Sequence, residues 1–109
     1  MKPEISIVIP AYNEEESLHP LFGSLYPVMT DMGRPFEIIF INDGSKDSTL
    51  GILYDLYVSH PEVRVIDLNG NFGQHMAIMA GFEHVRGDIV ITLDADLQNP
   101  PEEIPNIVA

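Results

Sequence analysis

The chain has 109 residues, a length typical of one domain, and a formal net charge of −12 from 17 acidic and 5 basic side chains. A surface this acidic, with no basic stripe, argues against a nucleic-acid partner and against direct docking of this segment on an anionic membrane. Because there is no cysteine, disulfides and thiolate metal sites are excluded. No apolar run approaches the roughly 20 residues needed to span a bilayer.

Four apolar, β-branched runs predict strands, and three stretches with apolar residues at helical spacing predict helices between them. The strands are expected over residues 5–9, 36–41, 63–66 and 88–93. The helices are expected to follow Ser17 as far as Met29, to follow Asp47 or Ser45 as far as His60, and to cover 74–85. A last helix barely begins over 102–109, which favours a fragment of a longer protein.

Two prolines predict where a strand and a helix end, and one apolar group predicts the orientation of the third helix. Pro10 should end the first strand, and Pro27 should kink or end the first helix, because proline has no N–H to donate. The third helix should turn its large apolar side chains toward the core, namely Met76, Ile78, Met79 and Phe82.

The alternation of strands and helices, with short connections, predicts an α/β fold with a parallel sheet and helices on both faces. In such sheets, ligands bind outside the carboxyl ends of the strands. Polar clusters follow three of the four predicted strands, at residues 12–14, 42–43 and 94–98. The sequence therefore predicts one binding site at this edge of the sheet.

Asp94 and Asp96 end a fully apolar strand and are separated only by Ala95. Alternate residues of an extended backbone point the same way, so the two carboxylates should project together and need a positive partner. Nothing basic is near in sequence, so a divalent cation is the simplest partner. Gln98 extends the alternation, and these oxygens suit Mg²⁺ or Mn²⁺, with phosphate and water completing the coordination. The alternative is an ordinary polar turn.

The other two polar clusters predict a nucleotide pocket. Asp43 could accept a hydrogen bond from a nucleobase N–H, and its alternative role is to cap a helix or stabilise its turn. Pro10 could shape the turn that brings Tyr12 beside a base or ribose and Glu14 to a polar edge; the alternative is a plain strand exit and helix start. Gly70, Gly73 and the start of the third helix could cradle phosphate through backbone N–H groups, but the loop matches no phosphate-loop motif, which favours a simple turn.

Three segments together resemble the inverting glycosyltransferase family two, which has the GT-A nucleotide-sugar fold. They are Ile-Val-Ile-Pro-Ala-Tyr-Asn-Glu-Glu (7–15), Ile-Asn-Asp-Gly-Ser-Lys-Asp-Ser-Thr (41–49) and Thr-Leu-Asp-Ala-Asp-Leu-Gln-Asn-Pro-Pro-Glu (92–102). The resemblance covers almost the whole chain. Residues 71–82 and the Asp-Leu-Gln-Asn-Pro-Pro run are most similar to the polyprenyl-phosphate branch, which includes dolichyl-phosphate mannosyltransferases and undecaprenyl-phosphate transferases such as the formamido-arabinose transferases.

This resemblance implies that residues 1–109 are the N-terminal nucleotide-binding part of a three-layer, Rossmann-like GT-A domain. It implies that Pro10, Tyr12, Glu14 and Asp43 line the nucleotide pocket, that Asp94 lies near ribose and metal, and that Asp96 and Gln98 hold the cation on the diphosphate. Many relatives carry a basic residue in the loop before the third helix, whereas residues 69–71 here are uncharged. The family's acceptor-site residues and C-terminal membrane helices would lie beyond residue 109.

The implied reaction transfers a sugar, with inversion, from a UDP-sugar to a polyprenyl phosphate at the cytoplasmic face of the inner membrane. A polyprenyl phosphate is already anionic, so no general base is needed, and no catalytic residue is assigned within this segment. We expect the isolated segment to lack turnover, and an exposed sheet edge could pair copies of the chain. The alternatives are a soluble polysaccharide-building glycosyltransferase and a non-catalytic assembly domain.

Overall fold

The structure, a computed structural model, describes residues 2–96 and 100–108. In this part of the chain the strands are β1 (Ile5–Ala11), β2 (Phe36–Asn42), β3 (Val63–Asp67) and β4 (Ile89–Thr92). The helices are α1 (Leu18–Asp31), α2 (Thr49–Ser59), α3 (Gln74–Phe82) and α4 (Ile104–Val108), the last preceded by a 3₁₀ turn at Pro101–Glu103. Each predicted strand and helix is present, with boundaries that differ by a few residues.

The described strands form one parallel sheet in the order β3-β2-β1-β4. Strand β1 is central, with Ile7 opposite Ile38 of β2 on one side and Ile91 of β4 on the other. Since all strands are parallel, their carboxyl ends meet at one edge, where the loops before α1, α2 and α3 also begin.

Helices cover both faces of the sheet, which confirms the predicted three-layer α/β arrangement. On one face, alternate residues of β1 and β2 pack with α1 and α2 in a core that includes Ile7, Phe40, Leu21 and Leu53. On the other face, Val8, Ile39 and Ile41 pack against Ala77 of α3. The alternation of the two sets along each strand is the period of a sheet that is buried on both faces.

Pro10 does not end β1, so that prediction is wrong. The strand runs to Ala11, and Pro10 lies opposite Ile41 of β2. The carbonyl of Val8 accepts a hydrogen bond from the N–H of Leu93 at 3.0 Å, on the β4 side, and Pro10 has the same orientation two residues on. Pairing with β4 stops at Val8, so the nitrogen of Pro10 faces past the paired part of β4, where no ladder donor is needed.

Pro27 does not end α1, which continues to Asp31. Ser17 precedes the helix as predicted, but its side chain makes no capping hydrogen bond. At the start of α2 the residue before the helix is Ser48, and the Asp47 carboxylate accepts the Thr49 N–H at 2.9 Å. Asp47 therefore stabilises the first turn from one position earlier than a conventional cap.

The prediction for the third helix is wrong in both length and orientation. It ends at Phe82 rather than near residue 85, and three of the four large apolar side chains, Met76, Met79 and Phe82, are exposed, whereas Ile78 is half-buried. The residues of α3 that face the sheet are small. A Cβ at Gly81 would lie 2.6 Å from Val8 Cγ1, so α3 approaches the sheet too closely for large side chains.

A buried carboxylate stabilises the amino-terminal edge of the sheet. Glu37 is only 1% exposed, and it accepts hydrogen bonds from the Ser6 hydroxyl at 2.6 Å and the Arg64 guanidinium at 2.8 Å. It also accepts the backbone N–H of Arg86 at 2.8 Å and the Arg86 Nε at 3.1 Å. Four donors therefore satisfy one buried charge where β1, β2 and β3 begin.

Candidate functional site

A cavity of about 320 Å³ opens at the carboxyl ends of β1, β2 and β4. Its lining includes all five of the residues predicted to bind the nucleotide: Pro10, Tyr12, Glu14, Asp43 and Asp94. Ala11, Asn71, Gly73, Gln74 and Ala95 complete the lining. The three polar clusters, which are separated by up to about eighty positions in the sequence, thus meet around one space, as expected of a parallel sheet.

Reciprocal hydrogen bonds fix the loop after β1 to the loop after β2. The N–H of Asn13 donates to the Ser45 hydroxyl at 2.9 Å, and the Asn13 side-chain oxygen accepts the N–H of Lys46 at 2.8 Å. Asn13 has a φ of 52°, a left-handed conformation that asparagine tolerates better than most residues. The N–H of Glu14 donates to the Thr49 hydroxyl at 2.8 Å. These bonds hold the backbone on either side of Asn13 at the rim of the cavity.

Asp43 fixes the loop before α3. It is 3% exposed, and its two carboxylate oxygens accept the backbone N–H groups of Phe72 at 2.7 Å and Gly73 at 3.0 Å. Beside it, a Cβ at Gly44 would lie 2.5 Å from the backbone nitrogen of Asn71, so the two loops are in direct backbone contact. Asp43 therefore stabilises the loop before α3, and not the turn at the start of α2 that follows it in sequence. Each carboxylate oxygen has a second lone pair for a ligand N–H.

Asp94 and Asp96 follow β4 with different exposure. Asp94 is half-buried in the cavity lining, and its Oδ1 accepts a hydrogen bond from the side-chain amide of Gln74 at 3.3 Å. Asp96 is exposed. Gln98, the third predicted metal ligand, lies outside the described residues.

The pKa of Glu14 is affected by the negative charges around the cavity. Burial raises the pKa of Glu14, a hydrogen bond from the Ser17 side chain opposes that rise, and the charges of Asp96, Asp47 and Asp94 add to it. Carboxylates from the loops after β1, β2 and β4 are thus close enough to repel one another. The described lining contains no lysine or arginine to neutralise them.

The basic side chains lie mostly at the opposite edge of the sheet. Four of them form ion pairs there: Lys2 with Asp88, Arg34 with Glu4, and both Arg64 and Arg86 with Glu37. Lys46, in the loop after β2, is exposed. The cavity edge therefore carries a concentration of negative charge, and an anionic ligand would need a cation to bind there.

The donor set fits a hard divalent cation that a ligand helps to coordinate. Within residues 2–96 and 100–108, no three His, Cys, Asp or Glu side chains converge as a ready-made metal cage. Mg²⁺ and Mn²⁺ sites that handle phosphates use one or two carboxylates and complete their coordination with phosphate oxygens and water. Asp94 and Asp96 match that chemistry.

Sequence reasoning did not identify Gln74 as a site residue. The sequence indicates Gln74 only as the start of the third helix, where backbone N–H groups could cradle phosphate, whereas in the structure its side chain lines the cavity and donates a hydrogen bond to Asp94. The available signal was its position, directly after the glycine-containing loop and at the sheet edge where the polar clusters meet. Asn13 and Thr49 were also missed as residues that shape the site, because their bonds join parts of the chain more than thirty positions apart.

Comparison with known proteins gives consistent relatives. The family model described as glycosyl transferase family 2 matches residues 6–109. The undecaprenyl-phosphate 4-deoxy-4-formamido-L-arabinose transferase of Shewanella sediminis (strain HAW-EB3) is 55% identical over 107 residues, which cover 96% of this chain and 32% of that protein. The protein of the same name from Edwardsiella ictaluri (strain 93-146) is 52% identical over 106 residues, covering 95% of this chain and 32% of that protein.

Two solved structures share the fold at low sequence identity. S. aureus TarS 1–349 in complex with UDP-GlcNAc has a TM-score of 0.75 at 22% identity and covers 96% of this chain and 30% of that chain. The mannosyltransferase PcManGT from Pyrobaculum calidifontis, in complex with GDP-Man and Mn²⁺, has a TM-score of 0.73 at 23% identity, covering 99% and 32%.

Within the described residues, every helix is too short or too polar to cross a bilayer. The chain spans about a third of the length of the curated relatives it matches. It has the parallel α/β architecture of GT-A enzymes and belongs to glycosyl transferase family 2.

Proposed function

We propose that the chain forms the donor-binding part of an inverting glycosyltransferase that moves a sugar from a UDP-sugar to a polyprenyl phosphate such as undecaprenyl phosphate. The observation that carries this proposal is the convergence of Pro10, Tyr12, Glu14, Asp43 and Asp94 on one cavity at the carboxyl edge of the sheet. The names of the relatives, more than half identical to this chain, support the lipid-phosphate acceptor.

The base and ribose would be bound by the β1 and β2 loops. Tyr12 is 42% exposed and lines the cavity, so its ring can pack beside a flat base. The free lone pairs of the Asp43 carboxylate can accept the single N–H of a uracil, whose two flanking carbonyls would need donors from the backbone. Glu14 can accept a hydrogen bond from a ribose hydroxyl, and Asp94, which also lines the cavity, would lie near the ribose and the metal.

The diphosphate would be held through Mg²⁺ or Mn²⁺ on Asp94 and Asp96, with Gln98 as a further ligand. When bound, the cation offsets the charge that builds on the leaving diphosphate. Without it, the carboxylates around the cavity would repel the donor, because the described lining contains no lysine or arginine. The pKa of Glu14 supports a cation at this position, since the negative charges of Asp96 and Asp94 both raise it.

The acceptor would attack the anomeric carbon from the face opposite the diphosphate and so invert it. A phosphate oxygen is anionic at neutral pH and needs no general base, whereas a sugar hydroxyl would need one. We place the protein at the cytoplasmic face of the inner membrane, and we assign the membrane contacts and the acceptor site to regions other than this segment, which matches about a third of the length of its relatives.

Isothermal titration with UDP tests the donor and the cation together. We expect binding heat with Mn²⁺ that is strongly reduced in EDTA, and we expect Asp96→Ala to lose the Mn²⁺ dependence. Asp55→Ala, an exposed change on α2, is the matched control and should behave as wild type. Equal binding of UDP with and without metal would contradict the proposal, and preference for GDP would overturn the choice of UDP.

The two other functions make different predictions. A non-catalytic assembly domain should show no thermal shift with any nucleotide or metal. A soluble polysaccharide-building enzyme should bind UDP and metal equally well, but its full-length form should transfer sugar to an oligosaccharide and not to undecaprenyl phosphate. Transfer assays with both acceptors on the full-length protein therefore separate it from the lipid-dependent enzyme.

A further inference from the structure

We propose that Gln74 is a positioning residue that orients the Asp94 carboxylate for the divalent cation. This inference rests on the proposed function, because it assigns Gln74 a role in that same site. Its basis is the hydrogen bond from the Gln74 amide nitrogen to Asp94 Oδ1 at 3.3 Å, which joins the first residue of α3 to the exit of β4.

The position of Gln74 is itself well determined. The residue before it, Gly73, donates its N–H to the buried Asp43 carboxylate and has a φ of 96°, which glycine adopts without strain. The carbonyl of Gly73 accepts the N–H of Ala77 at 3.0 Å, which begins the helix. Ala77 is fully buried against the sheet. The backbone of Gln74 is therefore anchored on both sides, and its side chain reaches the cavity from a rigid element.

Asp94 lies just beyond the paired part of β4, so the strand ladder does not fix its side chain. Pairing between β1 and β4 ends with the Leu93 N–H on the Val8 carbonyl, one residue before Asp94. The charges of Asp94 and Glu14 act on one another, so repulsion from Glu14 would displace an unrestrained Asp94 carboxylate. The Gln74 amide restrains one oxygen of Asp94 and so fixes the direction in which the other oxygen points.

A neutral donor suits this task better than a charged one. A lysine or arginine at position 74 would form an ion pair with Asp94 and would compete with the cation for the same negative charge. The glutamine amide occupies one lone pair of Oδ1 and leaves the net charge of Asp94 unchanged. Hydrogen bonds to the ligands of a metal orient those ligands in this way, and their loss commonly weakens metal binding 10- to 100-fold.

The test uses Gln74→Met, which keeps the length of the side chain and removes the donor. Binding of Mn²⁺ is followed by the electron paramagnetic resonance signal of free Mn²⁺, without nucleotide, so that direct contact of residue 74 with a nucleotide cannot contribute. We expect about tenfold weaker Mn²⁺ binding, at the low end of this range because the bond is long and exposed. The midpoint of thermal unfolding should change by less than about 4 °C, because an exposed substitution alters stability by at most about 0.5 kcal/mol.

His75→Ala is the matched control, because His75 is also exposed in the first turn of α3 and lies outside the cavity lining. It should bind Mn²⁺ as wild type does. Unchanged Mn²⁺ affinity in Gln74→Met would overturn the proposal, as would an equal loss in His75→Ala. If wild type binds Mn²⁺ too weakly without nucleotide to be measured, the same three-way comparison is made at saturating UDP and is judged by the same two outcomes. None of these outcomes removes metal-dependent UDP binding, so the proposed function is judged separately by calorimetry.

Discussion

Arg86 contacts Glu37 twice at the amino-terminal edge of the sheet, once through its backbone N–H at 2.8 Å and once through its guanidinium at 3.1 Å. The residue pair joins the start of β2 to the turn before β4, forty-nine positions later in the chain. Arg86 is half exposed, whereas Glu37 is buried. The arrangement keeps a charged group in the interior by surrounding it with donors.

Glu37→Gln should therefore destabilise the fold. The substituted amide keeps the shape of the side chain but loses the charge that Ser6, Arg64 and Arg86 bind, and it presents its own donors to theirs. Because breaking a buried charge network leaves unsatisfied groups, we expect a loss of about 3 kcal/mol in the free energy of unfolding. Urea unfolding followed by circular dichroism measures this, with Glu83→Gln as an exposed control that should unfold as wild type does.

The same carboxylate should make stability depend on pH. Burial raises the pKa of Glu37, but hydrogen bonds from Ser6, Arg86 and Arg64 outweigh that effect, so its pKa falls below the ordinary 4.5. Its stabilisation is present above pH 4.5 and is lost as the pH falls through the lowered value. The difference in melting temperature between wild type and Glu37→Gln should thus narrow between pH 7 and pH 3, and a constant difference would contradict the assigned ionisation.

The strands and their order along the chain could be predicted because each is rich in apolar β-branched residues and lies between turn residues, although only β1 and β2 are buried along most of their length. The position of the site followed from the same pattern, since polar residues come directly after β1, β2 and β4. Glu37 could not be placed in this way. Its neighbours in sequence are apolar, and its partners lie 27, 31 and 49 positions away.

The errors at Pro10 and on α3 have a common cause, which is that they depend on distances between elements. Whether Pro10 lacks a necessary N–H depends on where β4 stops, and β4 is more than seventy positions away. Which side of α3 faces the sheet depends on how closely the helix approaches. Ala77 and Gly81 allow a close approach, and Met76 and Met79 are therefore turned outward.

Gly81→Ala should test this close approach. The added Cβ would lie 2.6 Å from Val8 Cγ1 and 2.9 Å from Ile41 Cδ1, and both side chains are fully buried. Overpacking of this kind costs about 1–3 kcal/mol, which exceeds the gain of up to about 1 kcal/mol from the better helix propensity of alanine. We expect a net loss of up to about 2 kcal/mol in the free energy of unfolding.

Gly23→Ala is the natural comparison, because Gly23 lies within α1 and nothing is within 4 Å of its added Cβ. That change should stabilise the chain by roughly 0.5–1 kcal/mol. Opposite signs in the two variants, measured by urea unfolding, would support the close packing of α3. Stabilisation by both changes would show that α3 can move away from the sheet at little cost.

Asp43→Asn should affect the site and the fold together. Asparagine has one acceptor oxygen, so the N–H groups of Phe72 and Gly73 could no longer both be bound by the side chain. We expect a loss of about 2 kcal/mol in the free energy of unfolding, since a buried donor is left without its partner. Under the proposed function, calorimetry should also show weaker UDP binding, because the loop before α3 lines the cavity.

Asp55→Asn on the exposed face of α2 controls for the change of charge and should alter neither quantity. Unchanged stability in Asp43→Asn would mean that the loop before α3 is fixed by other contacts, such as the backbone approach of Gly44 to Asn71.

Glu14→Gln should act in opposite directions on stability and on metal binding. Burial and the charges of Asp96, Asp47 and Asp94 raise the pKa of Glu14 above the ordinary 4.5, so the ionised group is unfavourable in the folded chain. Folding stability should therefore fall as the pH rises from 4.5 through the raised value, and the glutamine variant should escape that fall. Its melting temperature should exceed that of wild type at pH 7 and approach it near pH 4.

A bound divalent cation should reverse the effect of Glu14 on stability, because the negative charge of Glu14 then attracts the cation. Under the proposed function, added Mn²⁺ should raise the melting temperature of wild type more than that of Glu14→Gln. Glu15→Gln, one residue along the same loop and exposed, should respond to Mn²⁺ as wild type does. If Mn²⁺ stabilised Glu14→Gln as much as wild type, Glu14 would not share the electrostatic field of the metal site, and the charge on the β1 loop would have no part in retaining the cation.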